Sequence, residues 1–410
     1  MTNNRRRLPQ GRENTKFLKK QHMEITVYRA EADHIFLLLV LVMLALGTVM
    51  VCSASYAYAY QYKEQNSYHY VFLQIKMAGL GLAAMFFIAY FRLGNHHFIN
   101  YLTIEKYGLP FIAAIAVLAN FYAAIRRTRW ITLPFVGNFQ PSELLKLAVI
   151  FIFAAYICKI GNKMQKWKYG VLLPVPFIAI LILIMYLQSH LSGIIIIALI
   201  CFSMMLIGES PKSFIFIFIA LVIGAYFYTK YNSESIVEFI VNFSGRKDAG
   251  DRITYWIDPY KNSEDGGYQI LQSLIAIGSG GLTGLGWGQS MQKHLFLPEP
   301  QNDFIFSVIC EEMGFFGAIC IIILFAALIW RGFVIAYRAP NRFSSLIVMG
   351  ITMKMAIQFL LNTAVVTNCL PNTGISLPFF SYGGTALVVL MAEMGVILSI
   401  SRYSYEDKIQ

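Results

Sequence analysis

Charged side chains are scarce in this sequence, at 13% of its residues. Soluble domains carry roughly 25%, so the missing half argues against a water-soluble globular protein. Cysteine is sparse too. The six, Cys52, Cys158, Cys201, Cys310, Cys320 and Cys369, have no CxxC or metal-ligand spacing. That excludes a disulfide scaffold or zinc module and leaves small apolar side chains. No repeat, Ser/Gly linker or low-complexity tract divides the chain. Met1–Ala32 is basic and polar with no apolar core, so a cleavable signal peptide is not expected there.

Apolar runs are abundant instead. Hydrophobic residues make up 57% of the chain and mean hydropathy is +0.57. Ten runs read as membrane helices, near 34–56, 70–91, 107–125, 143–158, 170–187, 190–207, 213–229, 303–330, 345–368 and 378–400. A bilayer forbids open strand edges facing lipid, so the fold class is an all-α integral membrane bundle. It forms one membrane domain over 33–410, preceded by a basic tail over 1–32 and interrupted by a large polar loop over 230–302, between the seventh and eighth spans.

A formal net charge of +11 could suggest a nucleic-acid partner, but membrane topology accounts for it better. With the N-terminus cytoplasmic, 20 of the 33 Lys and Arg fall inside, 10 outside, and Lys76, Lys146 and Lys354 within spans. The opposite orientation reverses the excess, so both termini are expected in the cytoplasm and no nucleic acid is expected. The basic tail is expected to touch anionic lipid.

The exceptions to this rule point to chemistry. Arg126-Arg127-Thr128-Arg129-Trp130 places three arginines outside, where an anionic ligand would give them a reason; a solvated loop paired with acidic residues is the bland reading. Gln140-Pro141-Ser142-Glu143-Leu144-Leu145-Lys146 follows, with Pro141 suited to a first helical turn. Glu143 and Lys146, three apart, share a helix face. They either set helix register or line a polar cleft. Asp251-Arg252-Ile253-Thr254-Tyr255-Trp256-Ile257-Asp258-Pro259 reads as a short amphipathic helix resting on the bilayer. The glycine-rich run from Gly278 to Gly286 lacks a P-loop's Gly-Lys-Ser/Thr ending, so close packing is expected, with backbone amides for a diphosphate as the second reading. Asp303 stands at the mouth of the eighth apolar run. There it would serve as the acid–base group of a membrane enzyme acting on a lipid-linked substrate, or as a helix N-cap. Lys354 and Glu393 fall at the same depth in spans nine and ten and are expected to pair; the rival is Lys354 snorkelling alone.

Several stretches together resemble the SEDS family (FtsW, RodA, SpoVE). They are Arg129-Trp130; Gln140-Pro141-Ser142-Glu143 with Lys146; Tyr268-Gln269 with Gln272-Ser273; Leu297-Pro298-Glu299 with Asp303-Phe304-Ile305-Phe306 and Glu311-Glu312-Met313-Gly314; and Leu377-Pro378-Phe379-Phe380-Ser381-Tyr382-Gly383-Gly384. The chain departs from the family pattern at three places. Only Arg129 and Trp130 match around the arginine cluster; Gln301-Asn302 stand where the family has His-Thr before the aspartate; and His190 lies in Gln188-Ser189-His190-Leu191-Ser192, where the family carries an acid. His190 therefore reads as a packing residue or a substrate contact.

The resemblance implies a ten-span protein of the bacterial plasma membrane that polymerises lipid II into glycan strands. Implied partners are a class B penicillin-binding protein and other division or elongation proteins. Asp303 is then the general base of an inverting glycosyl transfer. Arg129 and Lys146 are expected to hold the diphosphate, with Arg246, Arg252 or Lys293 assisting and Glu143 orienting Lys146. The resemblance leaves room for a divalent cation (Mg2+ or Mn2+) between diphosphate and Asp303, though no ligand cluster in the sequence demands a metal. A lipid II flippase is the alternative reading, and a non-catalytic scaffold the third.

Overall fold

The computed structural model describes residues 31–63, 65–90, 109–133, 137–244, 247–260 and 267–402. Nearly all of the basic tail and Arg246 lie outside them.

All ten apolar runs form helices. They are α1 (His34–Tyr62), α2 (His69–Tyr90), α3 (Leu109–Ile125), α4 (Pro141–Ile160), α5 (Pro174–Leu187), α6 (Leu191–Ile207) and α7 (Lys212–Tyr231), then α11 (Ile305–Tyr337), α12 (Arg342–Val366) and α13 (Gly384–Ser401). Eight are long and apolar enough to cross a membrane, counting α5 with the π-helical turn Lys168–Leu172 that precedes it; α3 and α6 are shorter apolar helices. Local chemistry sets their starts. Asp33 and Asn341 cap α1 and α12 by accepting from the amides of Phe36 (2.9 Å) and Ser344 (2.8 Å). Pro141 and Pro174 open α4 and α5, where a missing N–H costs nothing. The last helix begins later than the 378 expected, because Leu377–Gly383 forms a non-helical segment before α13.

α13 packs along α2, α11 along α12 and α1, and α4 against α3, α6 and α12. α7 buries none of its residues. The loop expected over 230–302 is itself mostly helical: α8 (Ser233–Ser244), α9 (Lys247–Ile257) and α10 (Gly267–Ser279). The amphipathic helix expected at 251–259 is the second half of α9. It docks on protein: Trp256 is buried and donates to the Asn368 carbonyl (3.1 Å), and Arg252 donates to the Asn372 carbonyl (2.8 Å).

After α10 the glycine-rich run meets a break in α11 at Gly314, whose φ of 65° interrupts the helix. A helix broken inside a bundle must have its freed backbone groups satisfied. The glycine run does so. Leu285 and Gly286 amides donate to the carbonyls of Glu311 (2.9 Å) and Glu312 (3.0 Å), while Phe315 and Phe316 amides donate to Gly281 (2.9 Å) and Leu282 (3.2 Å). A Cβ on Gly284 would lie 2.1 Å from the Glu312 carbonyl oxygen, so only glycine permits this approach. Of the two expectations for this run, close packing describes the structure; the amides of Leu285 and Gly286 are already taken.

Candidate active site

At the Asp303 end of the bundle lies a cavity of about 600 Å³, open on one side, within the usual range for small-molecule sites. The β-hairpin Ile131–Leu133/Gly137–Phe139 forms part of its rim and is tied to α13 by the Thr385 hydroxyl donating to the Asn138 carbonyl (3.0 Å). Arg129, Lys146, Glu143 and Asp303 all line it, each from a different part of the chain except the two on α4.

Asp303 is held by its backbone. The Asn362 side-chain amide donates to the carbonyls of both Asp303 and Ile375, each at 2.7 Å. Phe304, not Asp303, is the N-cap of α11, and no side chain caps that helix. Among the described residues nothing donates a hydrogen bond to the Asp303 carboxylate, so its oxygens face the cavity uncommitted. Gly374 presses close: a Cβ there would sit 3.1 Å from Asp303 Oδ2, and its φ of 68° already favours glycine. Burial pushes the Asp303 carboxyl up to about 6, and the Glu299 charge adds to the rise; Arg252 and Arg129 pull the other way. Glu299 itself adopts left-handed backbone (φ 47°) immediately before Pro300, a conformation disfavoured there and of the kind that clusters at functional sites.

Arg129 is half-buried and donates to the Ser189 carbonyl. Lys146 Nζ is 2.6 Å from Glu143 Oε1, as their spacing on one helix face allows. The charges continue inward. Lys354 Nζ lies 3.8 Å from Glu143 Oε2 and 2.6 Å from Glu393 Oε1. Lys354 thus meets Glu393, and four alternating charges run from the cavity wall into the bundle. Each alone would be expensive at this depth; together they neutralise one another.

Other residues considered in the sequence lie elsewhere. Arg252 does not line the cavity, though its charge reaches Asp303. Lys293 is buried away from it, bonded to Glu312 (2.7 Å), the Ser53 hydroxyl (2.9 Å) and the Gly288 carbonyl (2.7 Å). Arg246 is outside the described residues. His190 does line the cavity, its Nε2 facing Gln140 Nε2 at 3.3 Å. Among the described residues no three His, Cys, Asp or Glu side chains gather as a metal site. Mg2+ binds through one or two carboxylates plus substrate phosphates, and Asp303 with Glu299, both on the cavity wall, fits that donor set.

The sequence profile of the FtsW/RodA/SpoVE family, described as a cell cycle protein, matches residues 33–406. The chain belongs to the FtsW/RodA/SpoVE family. It is 35% identical over 345 residues to stage V sporulation protein E of Bacillus subtilis, covering 81% of this chain and 86% of that one. It is 33% identical over 311 residues to the probable peptidoglycan glycosyltransferase FtsW of Geobacter sulfurreducens, covering 74% and 79%. The fold is similar to that of a chain in a peptidoglycan synthase complex said to coordinate polymerization and crosslinking (TM-score 0.66, 22% identity, 92% of this chain and 99% of that chain). It is also similar to the Thermus thermophilus rod shape determining protein RodA (TM-score 0.60, 22% identity, 92% and 98%). Membership fits the expected fold class: this FtsW/RodA/SpoVE chain is an all-α, multi-pass membrane protein.

Proposed function

We propose that this protein is a peptidoglycan glycosyltransferase that polymerises lipid II, with Asp303 as general base. The observation that carries this reading is the cavity that Asp303 shares with Arg129 and Lys146. Its relatives named as peptidoglycan glycosyltransferases support it. The charge count supports an orientation with both termini in the cytoplasm and the cavity facing outward in a bacterial plasma membrane. A class B penicillin-binding protein as partner is in keeping with the fold's likeness to a peptidoglycan synthase complex.

The chemistry follows from the groups. Lipid II is an α-linked sugar diphosphate on a polyprenyl chain, and the new glycan bond is β, so the anomeric carbon inverts in one displacement. That needs one base and a stabilised leaving group, whereas retention would need two carboxylates close together. Asp303 takes the proton from the 4-hydroxyl of the acceptor GlcNAc. The freed oxygen bonds to the anomeric carbon of the donor, whose bond to the diphosphate breaks. Arg129 and Lys146 stabilise the charge that leaves with the lipid, Glu143 aiming Lys146. A carboxyl near 6 is a stronger proton acceptor than an ordinary one and is still ionised at neutral pH. A divalent cation held by Asp303 and Glu299 would add Lewis-acid neutralisation of the diphosphate.

The flippase alternative calls on charges deeper in the membrane, but Lys354 and Glu393, paired at 2.6 Å, do not line the cavity. Purified protein given fluorescent lipid II, with and without its transpeptidase partner, separates the readings. Glycan chains are the expected product. Translocation across liposomes without chain formation would replace this proposal with the flippase.

A further inference from the structure

The region beside the cavity is unusually rich in one residue type: Tyr56, Tyr58, Tyr60, Tyr62, Tyr68 and Tyr70 fall within fifteen positions spanning the end of α1 and the start of α2. An interfacial aromatic belt would point such rings at lipid. Four rings here turn toward one another instead. Tyr62 meets Tyr58 at 4.6 Å between ring centres, Tyr58 meets Tyr70 at 6.1 Å across the two helices, and Tyr70 meets Tyr382 edge-on at 4.9 Å. Tyr382 lines the cavity, and its amide donates to the Gln301 carbonyl (2.8 Å), two residues from Asp303. The Tyr58 hydroxyl reaches Glu299 Oε1, also on the cavity wall, at 3.5 Å. The row therefore begins at an exposed ring, Tyr62, and ends inside the site.

Its height suits a water-borne ligand. α1 has 29 residues, and about 20 suffice to cross a hydrocarbon core of roughly 30 Å. Asp33 fixes the other end of the helix in an ion pair with Arg331 (2.8 Å). The last two turns of α1, which carry Tyr58 and Tyr62, thus stand beyond the apolar core. Aromatic faces carry partial negative charge and attract the polarised C–H face of a pyranose, while phenol hydroxyls at the ring edge meet sugar hydroxyls.

We infer that Tyr62, Tyr58, Tyr70 and Tyr382 form a glycan-binding track that receives the sugar chain as it passes between the cavity and the aqueous face. This rests on the polymerase reading for its biological ligand, but its test needs no turnover. Lipid-free, uncrosslinked β-1,4-linked GlcNAc–MurNAc oligosaccharides are titrated onto the purified full-length chain in detergent. Wild type is expected to bind them, and Tyr58→Leu or Tyr62→Leu to weaken binding by about tenfold each, because a ring face is lost. Tyr58→Phe and Tyr62→Phe keep the face and are expected to bind nearly as wild type. Tyr62 is 60% exposed, so its substitution leaves the core intact even if Tyr58→Leu unfolds. Equal binding by wild type and both leucine variants would assign these rings to a lipid belt and overturn the track. Equal losses in the phenylalanine and leucine variants would also overturn it, as would no binding by wild type. A failure to polymerise lipid II, by contrast, would sink the polymerase reading and leave the binding result standing.

Discussion

Two acidic residues eight positions apart, Asp303 and Glu311, have opposite surroundings in this bundle. The Glu311 carboxylate is buried and fully engaged: it accepts from the Ser290 hydroxyl, the Ser279 hydroxyl (3.4 Å) and the amides of Met291 (3.0 Å) and Gln292 (3.3 Å). Next to it Glu312 is paired with Lys293. Together they clamp the glycine run into the break in α11. Among the described residues Asp303 has no such partners on its carboxylate, and it faces a cavity. A charge satisfied from every side holds the fold; a charge left unsatisfied beside an opening is available for chemistry.

Mutations at the two sites should have opposite effects on activity and stability. Asp303→Asn is expected to lower glycan synthesis by about 10²–10⁴-fold, the usual contribution of a general base. It should leave the melting temperature at pH 7–8 unchanged or raised. The sign follows from the raised carboxyl: folding favours its protonated form, so the stability it contributes is present at low pH and is lost as pH climbs from the ordinary carboxylate range through about 6. Above that range a neutral amide removes a penalty. Lys293→Met should do the reverse. It leaves Glu312 buried without its cation, so a stability loss of about 3–5 kcal/mol is expected, read as a lower melting temperature in detergent, while protein that stays folded keeps its cavity. A stable Lys293→Met protein with no activity would place Lys293 in the site after all.

Arg129→Ala is expected to cost about 10²–10³-fold in rate, as for loss of one group stabilising leaving charge. A smaller effect should come from Gly374→Ala. The added methyl crowds Asp303 Oδ2 at 3.1 Å and strains a backbone at φ 68°. The loss is expected to be about tenfold in activity with only about 1 kcal/mol in stability. Activity assays paired with thermal melts check both.

The same contrast explains what the sequence could and could not reveal. The membrane helices were legible because lipid demands long apolar stretches, whatever packs beside them. Glu143–Lys146 was legible because three-residue spacing fixes one helix face, and Lys354 with Glu393 because rise per residue converts position into depth. Lys293 was expected to assist in holding the diphosphate, because a place in the outer loop does not reveal that the segment folds back into the bundle to meet Glu312. The clamp by Glu311 was hidden for a similar reason: its partners come from a loop whose insertion depends on the break at Gly314. Within the polar loop, α8 and α10 escaped notice because composition marked the region only as non-membrane. The signal for the tyrosine row was present in its density near residues 56–70, but only the structure joins it to Tyr382.

Asp303, as the proposed base, has an acidity set by its burial and by Glu299. The direct test is the pH dependence of glycan synthesis from lipid II by wild type and Glu299→Gln, each assayed with the partner transpeptidase. A general base works only when ionised, so with Asp303 in that proposed role the wild-type rate should climb as pH passes through about 6 and then level off. Removing the Glu299 charge should move that rise to lower pH. A rate that does not change between about pH 5 and 8, or a rise that Glu299→Gln leaves in place, would contradict the assignment.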